Sequence, residues 1–326
     1  MFVDEGVQLD EALIARLLWW QHQCGYAVSI ATDAVGDDWL ARYLRDTDYL
    51  DRAGFEAWRG AATGTIAVPR QLLTAAGGVS LDAGTGWQVE LAYRLAQQGA
   101  VFIADTEASA SRSTAPDMPA ELQQVIPLLP ERRPDWRQTH TLPTIHVVVD
   151  CTSAPEVAEL TIEGVVTGEY RDVAVSVVGA APGVTRSNDP RVSYVDAVPA
   201  TSAPVPFRLE IPAGCVLQAV SIRRMLNRMR ESRLGLYQAL VEPTTEGASR
   251  TLAIRLLRTA AIERGRLVGG GDDLDGTVDE LFGSTWVDAR RFGIRHHTDA
   301  MNAAASPEDE DEDVNEGGED DEGEED

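Results

Sequence analysis

Leu13, Leu17 and Trp20 recur at helical spacing in DEALIARLLWWQHQ (10–23), with acids in the first turn, and this predicts an amphipathic helix. The preceding MFV is a short apolar run suited to the end of a buried strand. YAVSIA (26–31) reads as a strand, and the charged run 37–60 as a helix. TGTIAVPRQLLTAAGG then reads as a turn, a short strand, a helical turn opened by Pro69, and a Gly-Gly stop. GWQVELAYRLAQQGA (86–100) is a short amphipathic helix entered from a glycine-rich turn and closed by Gln97-Gln98-Gly99. AVFIAD (100–105) follows as a strand.

The pattern breaks over residues 106–142, where Ser, Thr and Pro dominate. This predicts a linker, placed at 113–142, between a unit at 1–112 and a unit at 143–300. IHVVVD (145–150) is a continuous apolar run of the kind found in parallel strands buried on both faces. SAPEVAELTIEGVVTG supplies a helix with Ser153 as N-cap and Gly168 as stop, and DVAVSVVG (172–179) a second strand, so the three form a βαβ unit. RVSYVDA, FRLEIP and LGLYQALVEP read as further strands, with SIRRMLNRMRESR (221–233) as a helix between the last two. RTLAIRLLRTAAIERGR (250–266) reads as an amphipathic helix, followed by a glycine turn and a short helical tail. Residues 301–326 are low-complexity and acidic, and are predicted to be disordered. No repeat of 20–50 residues is obvious, although both halves have α/β character.

Composition narrows the function classes. The 326 residues are 44% hydrophobic, enough for a sizeable core. No run of about 20 apolar residues suggests a membrane span. The acidic start MFVDEGVQLD lacks a secretory pattern, so the cytoplasm is the expected location. Cys24, Cys151 and Cys215 are far apart and read as small apolar fillers. Net charge is −25; residues 308–326 hold 14 acids and no base, leaving −11 on the rest. That balance excludes a nucleic-acid binder, which needs a basic face. The tail could recruit a cationic protein partner or serve as a solubilising bristle. The arginines of 223–233 read as a solvated helix face, with a nucleotide-diphosphate or partner surface or a site for the chain's own acidic tail as alternatives, and His296-His297 as a solvated helix end.

With these elements placed, residues 63–112 resemble the acceptor-side half of family 2 glycosyltransferases. The likeness rests on a glycine-led strand at Gly64, the Gly77-Gly78 turn, Glu90-Leu91-Ala92-Tyr93-Arg94-Leu95, and Gly99-Ala100 before a strand. MFVDEG resembles the end of that family's central strand, where an Asp-x-Asp motif sits. The second unit, Ile145 to about Phe292, resembles the nucleotide-sugar domain more loosely. The resemblance implies an α/β fold of Rossmann-like, mostly parallel sheets of the glycosyltransferase GT-A type, in two units plus the tail. The first unit, N-terminally incomplete, is the acceptor-side half; the second is a degenerate copy. The two could complete one sheet or stand as separate lobes.

The resemblance also implies a nucleotide-sugar donor, an acceptor and a divalent cation, Mn2+ or Mg2+. Asp4 would stand on the metal side with Glu5 beside it as cofactor-binding residues, and Gly64 and Trp87 on the acceptor side. Inverting glycosyl transfer needs a base to take the acceptor proton. Gln88 stands at the base position, where an amide cannot do this near neutral pH, and Trp87 replaces a neighbouring glutamate. Glu90, one turn on, is the substitute candidate. Gly6 stands where the second metal-side acid would be, and the place after FRLEI reads Pro212-Ala213-Gly214, without acids. Two functions follow: a glycosyltransferase acting on a cell-envelope or metabolite acceptor, or a catalytically inactive relative used for binding or assembly.

Overall fold

A computed structural model describes residues 1–2, 11–33, 39–62, 65–110, 125–133, 135–180, 186–197, 205–243, 251–269, 271 and 273–305. The acidic tail from 306 onward, Asp4, Glu5 and Gly64 lie outside the described residues, as do residues 111–124 of the linker region.

In the first unit, helix α1 (Glu11–Gln23) is followed by β1 (Ala27–Asp33), α2 (Trp39–Asp46), a 3-10 helix (Gly54–Ala62), β2 (Ile66–Ala67), α3 (Arg70–Ala75), α4 (Trp87–Gln97) and β3 (Val101–Ala110). β1 is central, antiparallel to β2 and parallel to β3, and Phe2 bridges Ile66 antiparallel. The helical spacing at Leu13 and Leu17 is used as expected: both are buried, against Ala31 and Ala67. Each such leucine contributes about 1.5–3 kcal/mol. The single helix expected over 37–60 is broken. After Asp46 the chain turns through Asp48, Tyr49 and Leu50 at φ of 52°, 51° and 80°. That left-handed run ends the helix and buries Leu50 against the core.

The second unit contains β4 (Ile145–Asp150), α5 (Ala158–Thr167), β5 (Val173–Val178), β6 (Val192–Val195), β7 (Phe207–Pro212) and β8 (Cys215–Leu217). It continues with α6 (Ser221–Glu231), β9 (Leu236–Val241), β10 (Leu252–Arg258), α7 (Thr259–Val268), α8 (Leu274–Phe282), β11 (Ser284–Asp288), β12 (Ile294–His296) and α9 (His297–Ala305). Seven strands form one sheet in the order β11-β9-β10-β7-β4-β5-β6, while β8 and β12 form a small ribbon. β4, β5, β6 and β7 run parallel, as do β9 and β11; β10 alone is antiparallel to both its neighbours. The protein is thus α/β with a mostly parallel central sheet, as the resemblance implies.

Three local expectations are corrected. Residues 252–258 are strand, because Ile254 and Leu256 alternate into the core between β7 and β9; the helix starts only at Thr259. The stretch after the glycine turn adds two strands as well as helices. Ser153 does not cap α5, which is entered through a 3-10 turn at Pro155–Val157 with no side-chain cap.

The two sheets are related. In the first, the Phe2 segment, β2, β1 and β3 lie side by side in that order, with β2 antiparallel. In the second, β7, β10, β9 and β11 repeat the order, the directions and the sequence in which the chain visits them. The helix before the last strand ends in both at a glycine of positive φ, Gly99 at 79° and Gly283 at 77°.

The units meet at the amino ends of their parallel strands. Gly99 and Ala100, just before β3, offer carbonyls to the Arg264 guanidinium of α7. Phe55 stacks on Phe282 with ring centroids 5.0 Å apart. Within the predicted linker, Val125 and Leu129 are buried in the first core. Trp136 stacks on Tyr170 of the second unit at 6.0 Å.

Candidate functional site

The glycine-rich turn before α4 contains Gly84 at φ 53° and φ/ψ outside the helical range, which permits the sharp entry into the helix. Trp87 opens α4 and is half-buried, its ring centroid 5.2 Å from that of Phe2. Phe2, which bridges Ile66 at the sheet edge, is thereby set beside the start of α4.

Gln88 is 6% exposed, and its Nε2 donates to the carbonyl of Ala61 at 3.3 Å. The amide is thus engaged with the 3-10 helix beneath it. Glu90 is held by Arg94, one helical turn on: Nε donates to Oε1 at 2.5 Å and Nη2 to Oε2 at 2.7 Å. The same guanidinium donates from Nη2 to the Gly78 carbonyl at 2.7 Å and from Nη1 to that of Ala76. Side-chain exposures are 14% for Arg94 and 12% for Glu90. Gly77 and Gly78, at φ 80° and 75°, turn these carbonyls toward the fork. So the motif residues Gly-Gly, Glu90 and Arg94 form one brace between α3 and α4. A carboxylate with both oxygens on one arginine is poorly placed to accept an acceptor's proton. Tyr93, also in the motif, is buried edge-on to Trp58 at 5.6 Å; burial raises its hydroxyl pKa well above the ordinary value.

In the second unit the carboxyl ends of the strands are where ligands of open α/β sheets bind. Asp150 ends β4 exposed to solvent, with Oδ1 accepting from Thr152 N at 3.0 Å and Thr152 Oγ1 at 2.7 Å. Beyond β7, Gly214 at φ 98° lies against His297, whose N–H donates to the Gly214 carbonyl at 2.8 Å. His296 is 3% exposed and bonds Thr298 Oγ1 at 2.8 Å; burial holds its pKa below the usual 6.5. His296 is therefore built into the β8–β12 ribbon, which corrects the expectation of a solvated helix end for that residue, while the half-buried His297 opens α9. Burial pushes the thiols of Cys151 and Cys215 up to about 11 and about 12, in keeping with apolar fillers.

Among the described residues, no group of three or more His, Cys, Asp or Glu side chains could hold a metal ion. No helix of the described chain is long and apolar enough to cross a membrane.

No protein-family model matches the chain, and no curated protein matches it. Solved structures do match. One is a crystal structure of 4-diphosphocytidyl-2C-methyl-D-erythritol synthase, with a TM-score of 0.30 at 13% identity, covering 45% of this chain and 88% of that one. At such a score the likeness carries no argument about what this chain does.

Sequence reasoning missed the ionic cluster between the units. It consists of the pairs Arg132–Glu56 and Arg258–Glu131, ordinary surface-type residues at positions too far apart for any spacing rule.

Proposed function

We propose that this chain is a glycosyltransferase-like protein that keeps the transferase scaffold without its proton-transfer chemistry, and that it acts by binding. The observation that carries this reading is the brace at α4: Gln88 is tied to Ala61, and Glu90 is held on both oxygens by Arg94. In this reading Asp4 and Glu5 face the donor side, and Trp87 and Gly64 the acceptor side. The domain limits are 1–112, 113–142 and 143–300. The motif that resembles family 2 glycosyltransferases here serves as framework.

The test is calorimetric titration of the full chain with UDP- and GDP-sugars in the presence of manganese, paired with a sugar-transfer assay. Binding without turnover is expected. Metal-dependent sugar transfer that Asp4→Ala abolishes would overturn the reading in favour of an active transferase. Absence of binding at millimolar ligand would overturn the nucleotide-sugar part of it.

A further inference from the structure

A cavity of about 300 Å³ opens at the seam between the units, on the side away from the strands' carboxyl ends. Four separate pieces of chain wall it: the start of the 3-10 helix of the first unit, the segment around residue 131, the end of α6 and the end of β10. Arg132, Arg230, Arg233 and Arg258 line it together with Glu56, Glu131 and Glu231.

The charges do not cancel. Arg132 pairs with Glu56, and Arg258 Nη1 lies 3.5 Å from Glu131 Oε1. Glu231 is matched by Arg228, which stands outside the lining, at 3.5 Å. Arg230 reaches the Tyr170 hydroxyl at 3.5 Å and lies over the Phe207 ring at 5.9 Å, and neither it nor Arg233 has an ion-pair partner among the described residues. Two arginines without an ion-pair partner among the described residues thus border a concave site in a chain whose net charge is −25. The back wall is preformed. Arg258 is 6% exposed, lies 4.4 Å above the Phe55 ring, donates to the Met229 carbonyl at 2.5 Å, and has a buried Nε without a hydrogen-bond partner. Burial raises the pKa of Glu131, and the neighbouring Arg258 opposes that rise.

We propose that this cavity binds a small phosphorylated molecule, its dianionic phosphate or diphosphate held by the forks of Arg230 and Arg233 against Arg258. Planar guanidinium forks match phosphate oxygens in pairs, and the volume is at the lower end of the range of small-molecule sites. The site is independent of the transferase reading, since it lies at the opposite end of the sheet and needs no metal.

The experiment titrates the full chain with inorganic pyrophosphate, and separately with inorganic phosphate, in chelator-containing buffer. Saturable one-to-one binding of pyrophosphate is expected. The double variant Arg230→Gln, Arg233→Gln is expected to weaken it about tenfold or more. Both side chains are exposed, so circular dichroism and the unfolding midpoint should not change. Arg224→Gln, on the same helix but outside the cavity, is the control and should bind like the parent. Absence of saturable binding, or equal loss in the Arg224 control, would overturn the proposal. Nucleotide-sugar titrations in manganese answer to the transferase reading alone.

Discussion

At Glu90 the two carboxylate oxygens are both occupied by one guanidinium, and that guanidinium also holds the carbonyls of Ala76 and Gly78. Glu90→Gln removes a charge from a brace that is mostly buried and leaves Arg94 partly unmatched. The expected loss of stability is about 1–3 kcal/mol, read from the urea midpoint. Nucleotide-sugar binding in the same variant should be unchanged. A catalytic Glu90 would give the reverse pattern, with activity lost and stability kept. The motif Glu-Leu-x-Tyr-Arg-Leu was legible in the sequence as a likeness. The brace was not, because Arg94 makes it with carbonyls 16 and 18 positions earlier. Only the folded turn at Gly77-Gly78 brings those oxygens into reach.

Elements show the same division between local pattern and distant pairing. β4 and β5 could be read directly, since an apolar run followed by a helix and a second apolar run has few alternatives. β10 could not, because RTLAIRLLRTAAIERGR carries both periods: Ile254 and Leu256 alternate, while Leu257, Ala261 and Ile262 suit a helix. Pairing with β7 and β9 decides in favour of a strand over its first half. The repeated half-sheet was invisible for a related reason, since the order of neighbours is a property of space. Its two glycines of positive φ give a paired prediction. A Cβ at Gly99 would lie 2.5 Å from the Arg264 backbone nitrogen in the other unit, whereas one at Gly283 would meet only the Leu234 side chain, at 3.1 Å. Both substitutions incur the positive-φ strain. Gly99→Ala adds backbone overlap of about 1–3 kcal/mol, so its melting temperature should fall well below that of Gly283→Ala. Equal shifts would mean that the seam gives way freely.

For the whole molecule, buried histidines set the response to acid. Burial, helped by nearby Arg208, lowers the pKa of His146, and burial with neighbouring His297 lowers that of His296, both from an ordinary 6.5. The unfolded chain therefore takes up protons near 6.5 that the folded chain refuses. Stability should fall as pH drops through that value toward the folded pKa. Urea midpoints between about pH 7.5 and about pH 5.5 test this. His146→Gln, able to keep a hydrogen bond to Ser176, should flatten the slope; an unaltered slope would assign the effect elsewhere. The seam itself has a geometric consequence. Because both sheets present their amino ends to it, their carboxyl edges look outward in different directions. A molecule seated at one carboxyl edge would therefore be separated by the whole seam from one seated at the other.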